Sequence, residues 1–525
     1  MRVDPSIERP DRSLLWLLPC ALLLIGLTIV FECTAIDGVS PAFRAVPLDD
    51  AWIHFVYAEN ALRTGLLHYN PGEPAAGTSS LLWVILLSLP QRLGVYPPVA
   101  AKLLALLAQL GLAALVLVGL RKHTYRPLAI LGAVLVCADP VGVFASLSGM
   151  EVMLYSLTAF GAVWALLEGR YRLAGVLAAL TVAARPDGVL TALCVITFGF
   201  LHLAIMARKR EKGMPRWGET AFWLVLPSLL AWLLWAYLNW RATGRLLPAS
   251  FYVRAGGWSL FTNVPPLGEI FRTLAAVGSF IGHPLQWMLY VLGLLWIAWR
   301  RDIRYGVLVI FPWALAVLMA GQTVQFIGGG FLGHRYIVPA LPFFLYVQLL
   351  GVAFVTDLLI EKRVLHRTYR KRHLPVFLTL VALLLLMGDP RVVPRHLAEQ
   401  RREYASACRE IEHMQVKIGR WLDANTAPDA RVGTHDAGAI TYFSKRETID
   451  IMGLNTPHIA PLSPRVVAGL DYLVTFPALT GDIHVPYREV FRVQFDQTTA
   501  VADKLMAVYR IEPPATPALT PEIQP

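Results

Sequence analysis

The chain has 525 residues, of which 56% are hydrophobic and only 16% charged, and its mean hydropathy is +0.53. A soluble globular domain of that length carries far more charge, so the composition excludes a soluble enzyme and points to a helical protein that crosses a membrane many times. The net charge of +11 does not mark a nucleic-acid binder, because the basic residues cluster between apolar runs instead of sharing one face of a domain, and no nucleic acid is expected as a partner.

Apolar runs near the roughly 18 residues that cross a bilayer predict helices at 14–31, 99–120, 127–147, 149–167, 171–186, 189–206, 221–240, 279–299, 303–320, 336–358 and 374–388. The first run, "LLWLLPCALLLIGLTIVF", is longer than the apolar part of a signal peptide and no small-residue cleavage site follows it, so it is read as an uncleaved first span. The segment "SSLLWVILLSLPQRLG" (79–94) breaks at Pro90 and suits an interfacial or re-entrant helix. Leaving it out places the clusters "RKHTYR" (121–126), "RYR" (170–172), "RKREKGMPR" (208–216), "RRDIR" (300–304) and "EKRVLHRTYRKRH" (361–373) on one side with the N-terminus. The positive-inside rule then gives about eleven spans, with the N-terminus cytoplasmic and the C-terminus outside. A multi-pass protein of the bacterial cytoplasmic (inner) membrane, in contact with membrane lipids, is expected. Cys20, Cys137 and Cys194 sit in apolar runs, Cys33 and Cys408 make no convincing pair, and no disulfide is expected.

The first outer loop, 32–98, holds "PLDDAWIHFVYAENALRTG". Asp49 is well placed to cap a helix from Asp50 to Thr64 that stops at Gly65. One carboxylate suffices for a cap. Two adjacent carboxylates at a membrane surface repel each other and lose water, which suits either a general base or a bound cation. His54 and Tyr57 follow Asp50 at i+4 and i+7, extending a polar stripe along one helical face.

The other polar residues that hydropathy leaves unexplained fall in loops on the same side. "SGME" places Ser148 and Glu151 at a helix start as a capping box. "RPDG" reads as a turn in which Arg185 pairs with Asp187. Glu151, Arg185 and Asp187 also stand at the edge of hydrocarbon, where ionisable groups carry a functional reading beside the structural one. "LLPASFYVR" adds Tyr252 and Arg254, and "GGGFLGHRY" adds His334 and Arg335 beside a glycine run; these suit a lipid-linked phosphate, while for Arg335 snorkelling to headgroups is the plainer reading. No P-loop, dinucleotide fingerprint or zinc-ligand cluster accompanies them.

From about 390 the composition changes. A charged helix, "EYASACREIEHMQVKIGRWLDAN", precedes strand-like runs "ARVGTHD", "ETIDIMG", "DYLVTFP", "FRVQFDQ" and "KLMAVYRIE". This predicts an extracytoplasmic α/β domain over 390–512 behind a transmembrane domain over 1–389, with a disordered Pro-rich tail at 513–525. His435 and Asp436 after the first of these strands read as a strand-end turn.

At these residues the chain resembles integral-membrane glycosyltransferases of the GT-C type, a helical bundle with an outer catalytic loop. The pieces that carry the likeness are "LDDAWIHFVYAENALRTGLLHYNPGEPAAGTSSLLW", "SGMEVML", "ARPDGVL", "GRLLPASFYVR", "GGGFLGHRYIVPALP" and "VGTHDAGAITYF" followed by "IDIMGL". They look most like polyprenyl-phosphate-sugar users such as actinobacterial arabinofuranosyltransferases and, more distantly, protein mannosyltransferases. Two positions depart from the pattern: Gly330 stands where similar proteins often carry Asp, and Ala249 where they often carry Asn. The resemblance implies an inverting transfer of a sugar from a polyprenyl-phosphate donor to a glycan, lipid or protein hydroxyl. Asp49 and Asp50 would be the catalytic pair, with a divalent cation between them if one is used. His54, Tyr252, Arg254, His334 and Arg335 would hold donor phosphate and sugar, with Glu151, Arg185 and Asp187 as secondary candidates. The competing class is a transporter or flippase of lipid-linked sugars. Such proteins place ionisable groups near mid-membrane, whereas here they crowd one rim.

Overall fold

The computed structural model describes residues 15–512 except 37–42, 65–66, 74, 76, 211–214, most of 250–280, 324–334, 362–366, 388–391, 457–466, 468 and 483–484. Its apolar runs are helices: α1 (Leu17–Ala35), α2 (Asp49–Thr64), α3 (Leu81–Arg92), α4 (Pro97–Arg121), α5 (Arg126–Ala138), α6 (Pro140–Leu147), α7 (Val152–Leu167), α8 (Tyr171–Ala184), α9 (Gly188–Lys209), α10 (Trp217–Thr243), α11 (Pro284–Arg300), α12 (Val307–Thr323), α13 (Leu341–Glu361) and α14 (Arg367–Met387). Among the described residues, α1, α4, α9, α10 and the stretch Val338–Leu359 are each long and apolar enough to cross a membrane alone. The segment expected as a single span over 127–147 is a pair of helices bent by 50°. Pro140 has no N–H to continue α5, and Asp139 accepts from Val141 N and Gly142 N, so the second helix starts afresh. The segment around Pro90 is the short α3, capped by Ser80, whose side chain accepts from Trp83 N.

The expected β-rich region is a five-stranded mixed sheet in the order β2-β1-β3-β5-β4, with β1 Arg431–Thr434, β2 Glu447–Asp450, β3 Tyr472–Thr475, β4 Tyr487–Gln494 and β5 Leu505–Ile511. β1 runs parallel to β2 and β3, and β5 is antiparallel to β3 and β4. Both faces are covered. Val432, Val474 and Val508 pack against Met414, Ile418 and Leu422 on one side, and Leu473, Ala507 and Tyr509 join Ile449 and Ile451 on the other. Between β1 and β2 the chain makes a short helix, Ala439–Ser444.

The charged helix before the sheet, α15 (Val392–Ile411), continues through a π-helical turn, Glu412–Val416, into α16 (Lys417–Asn425). It lies against α1 and α6. There Glu32 is fully buried and fully used: it accepts from Lys102 Nζ at 2.6 Å, Tyr404 Oη at 2.7 Å and Phe43 N at 2.8 Å, while Lys102 also reaches Ala45 O at 2.7 Å. A buried ion pair whose charged atoms all take part in hydrogen bonds is held in one geometry; here it joins α1, α4, the first loop and α15. All five cysteines are free thiols.

Candidate active site

The local sequence of α2 builds the site's floor. Asp49 and Asp50 occupy its first turn and Arg63 its last, the charge order a helix dipole favours. The stripe that follows Asp50 turns inward. His54 Nδ1 lies 3.0 Å from Thr78 Oγ1, and Tyr57 Oη accepts from Gly77 N at 2.9 Å. These contacts hold Gly77 and Thr78 of the first loop against the helix.

Beyond His54 the charges form one connected set. His54 Nε2 is 3.4 Å from Glu151 Oε2; Arg185 Nη1 is 3.4 Å from Glu151 Oε1; and Arg185 Nε donates to Asp187 Oδ1 at 2.9 Å. The Arg185 guanidinium lies over the Tyr155 and Tyr336 rings, 5.4 and 5.2 Å from their centroids. Arg335 Nη2 donates to Asp50 Oδ2 at 2.8 Å and to Tyr336 Oη at 3.0 Å. Arg335 is 6% exposed, yet its Nε and Nη1 find no hydrogen-bond partner among the described residues.

The charged members of this set, with His54 and Tyr336, line one cavity of about 470 Å³. Asp50, His54, Glu151, Arg185, Asp187 and Arg335 are among its polar lining, and Val189, Leu190, Leu193, Trp232, Trp235 and Leu318 among its apolar lining. Six residues singled out in the sequence thus converge from the first loop, the α6–α7 turn, the α8–α9 turn and the approach to α13. Tyr252, Arg254 and His334, with the Gly328–Gly330 run, lie outside the described residues. Hydropathy gave no reason to separate Trp232 and Trp235 from other membrane-facing aromatics. Leu454, the outer domain's contribution to the wall, carries no local signal at all.

Two expectations are corrected. Ser148 and Glu151 do not form a capping box: Ser148 Oγ donates to Ala145 O and accepts from Met150 N, ending α6, while Glu151 precedes α7 without capping it. The buried contacts with His54 and Arg185 are what Glu151 makes instead. The Asp pair also divides. Asp50 faces the cavity, whereas Asp49 turns away and accepts from Gly438 N and Ala439 N of the outer domain, each at 2.8 Å. Burial first, and then the charge of Asp436, push the Asp49 carboxyl well above the usual carboxylate range, against the pull of those two N–H groups. Both Asp49 oxygens are engaged, so the residues do not fit a divalent cation bridging Asp49 and Asp50; among the described residues no group of three or more His, Cys, Asp or Glu side chains is arranged to hold one.

Comparison with known proteins places this architecture. The fold resembles ArnT from Cupriavidus metallidurans, solved bound to undecaprenyl phosphate, with a TM-score of 0.55 and 12% identity over 93% of this chain and 97% of that one. It also resembles the Archaeoglobus fulgidus oligosaccharyltransferase. The complex of that enzyme, AglB, with an inhibitory peptide and a dolichol-phosphate matches with a TM-score of 0.53 and 13% identity over 88% of this chain and 69% of that one. Its form tethered to an acceptor peptide gives 0.55 and 14% over 89% and 69%. The chain therefore shares the helical fold of these proteins, with a small sheet-containing domain at its C-terminal end. Residues 404–509 match a family model described as Domain of unknown function (DUF8728). Among curated protein sequences, none matches.

Proposed function

We propose that the protein is an inverting glycosyltransferase that moves a sugar from a polyprenyl-phosphate donor to a glycan, lipid or protein hydroxyl on the outer side of the cytoplasmic membrane. The observation that carries this reading is Arg335: a buried guanidinium with one nitrogen on Asp50 and two nitrogens without a described partner, in a cavity lined by both charged and apolar side chains. A buried donor left unsatisfied is costly, and an anion delivered on a hydrocarbon tail relieves that cost. The binding of undecaprenyl phosphate by ArnT and of dolichol-phosphate by AglB supports the same ligand class here.

The chemistry needs little machinery. Asp50 takes the proton of the acceptor hydroxyl; the acceptor oxygen attacks the anomeric carbon from the face opposite the phosphate; and the carbon–oxygen bond to phosphate breaks with inversion. Arg335 meets the charge left on the phosphate. Because Asp50 and the phosphate compete for one guanidinium, donor arrival loosens the ion pair and frees Asp50 Oδ2 for the proton. Arg185, pinned between Glu151 and Asp187 over two tyrosine rings, is too committed to follow the leaving group and fixes the cavity wall. Tyr252, Arg254 and His334 remain proposed donor ligands, and the cytoplasmic N-terminus with the outer position of the α/β domain belongs to the same proposal.

The test is sugar release and transfer by the purified protein in detergent, with polyprenyl-phosphate sugars extracted from a bacterial membrane as donors. Wild-type turnover that disappears in Asp50→Asn and Arg335→Ala is the expected result. Binding without turnover, together with movement of the donor across proteoliposomes, would make the protein a flippase. Glycan analysis of cells lacking the protein would name the sugar and the acceptor.

A further inference from the structure

β1 has β2 on one side and β3 on the other, so the chain reverses its direction of travel across the sheet at the carboxyl end of β1. In open α/β sheets that crevice is where ligands bind. In this protein the first loop of the membrane domain packs beside it, against the turn that follows β1 and along the free edge of β2. Asp49 accepts from Gly438 N and Ala439 N in the turn that follows β1. Tyr69 Oη donates to Ala437 O and lies 2.5 Å from Thr441 Oγ1. Asn70 pairs with the backbone of β2 in both directions, donating to Thr448 O at 2.9 Å and accepting from Thr448 N at 3.0 Å.

Two glycines make the approach possible. A Cβ on Gly438 would stand 2.0 Å from Asp49 O, and one on Gly77 would stand 2.0 Å from Asn455 Oδ1. Both distances are far inside van der Waals contact, so Gly438 meets the Asp49 backbone, and Gly77 meets the Asn455 side chain and Leu454 O, only because neither glycine has a side chain. The result places Leu454 beside Gly77 in the wall of the cavity that Asp50, one residue after the anchor, also lines.

We propose that the turn after β1 and the free edge of β2 form an internal docking site for the first loop, and that Asp49 is a positioning residue that holds Asp50 and Leu454 in the cavity, not the base. This rests on the glycosyl-transfer reading for its activity arm alone. The domain is then part of the donor site and not a detachable module that selects the acceptor.

The experiment uses the full-length protein and the variants Asp49→Asn, Asp49→Ala, Asn70→Ala and Gly438→Ala. Amide exchange of 437–448 is measured alongside binding of undecaprenyl phosphate and transfer. Asp49→Ala and Gly438→Ala should speed exchange across this segment and reduce transfer on the order of 10²-fold, the scale of an ångström of misplacement. Asp49→Asn, which keeps one accepting oxygen, should recover about tenfold of that, and Asn70→Ala, remote from the cavity, should follow the same pattern. Gly438→Ala is the sharpest arm because it leaves the Asp49 carboxyl intact. Equal loss of transfer in Asp49→Asn and Asp49→Ala, with exchange and lipid binding as in the wild type, would make Asp49 the base and overturn the proposal. Unchanged exchange in all four variants would overturn the docking itself. If no sugar transfer is found in the wild type, exchange and lipid binding still decide the docking, so the two failures are distinguishable.

Discussion

Two buried charge clusters flank the first loop of this molecule, and they differ in one respect. Around Glu32 every hydrogen-bonding atom is used: both carboxylate oxygens accept, Lys102 reaches a second acceptor, and Tyr404 closes the group from the outer helix. Around Arg335 the accounting is left open, with two buried nitrogens facing no described partner beside a cavity. Closed clusters of this kind specify a fold, and open ones mark where something else is to be bound. Burial alone would have ranked the two clusters together, since Lys102 and Arg335 are 2% and 6% exposed.

The comparison breaks most visibly at the two cations. Arg335→Ala should cost about 10²–10³ in turnover, the loss typical of a single stabilising donor, while the unfolding temperature stays near that of the wild type. Lys102→Met should do the reverse, costing about 3–5 kcal/mol of stability by stranding the Glu32 carboxylate. Adding Glu32→Leu should restore most of that loss, because a well-packed apolar replacement of a whole buried pair is close to neutral. Unfolding curves and turnover on the same samples would check all three variants. Equal stability loss at Arg335 and Lys102 would erase the distinction between the clusters.

A smaller effect concerns Glu151. Glu151→Gln keeps its shape but removes the charge between His54 and Arg185, so transfer should fall with a rise in donor KM, about tenfold, more than a fall in kcat. A pure kcat loss would move Glu151 from the wall into the chemistry.

The smallest expected effect lies in the outer domain. Burial works to lower the His435 pKa, but the hydrogen bond and charge of Asp436, helped by Asp450, outweigh it and raise the pKa above the ordinary histidine value. A histidine whose pKa is raised on folding stabilises fully below its unfolded value of about 6.5 and loses that contribution as pH climbs through the raised value. The sheet domain should therefore weaken slightly above pH ~6.5, by less than about 1 kcal/mol given a partly exposed pair. Asp436→Asn should flatten the dependence in a pH series of unfolding curves.

Much of the architecture could be read from residue order. Apolar runs located the helices to within a few residues, because a lipid-facing helix must be apolar along its whole length. The alternation and β-branching of "RVGT", "TIDI", "YLVT" and "LMAVYRI" located the strands. Unexplained polarity at the rim located Asp50, His54, Glu151, Arg185, Asp187 and Arg335, since an ionisable group at hydrocarbon depth needs a reason to be there.

What residue order left open was direction. Asp49 and Asp50 are chemically identical neighbours, and a helix turns successive side chains about 100° apart, so one meets the outer domain and the other the cavity. Nothing in "DD" says which. The same holds for the "SGME" glutamate, a cap by pattern and an ion-pair partner by position, and for Leu454, whose place in the wall depends on a sheet folding some 400 residues away in the chain from the loop it covers. Such pairings depend on long-range packing, where a contact's meaning comes from its partner and not from its own neighbours in the chain.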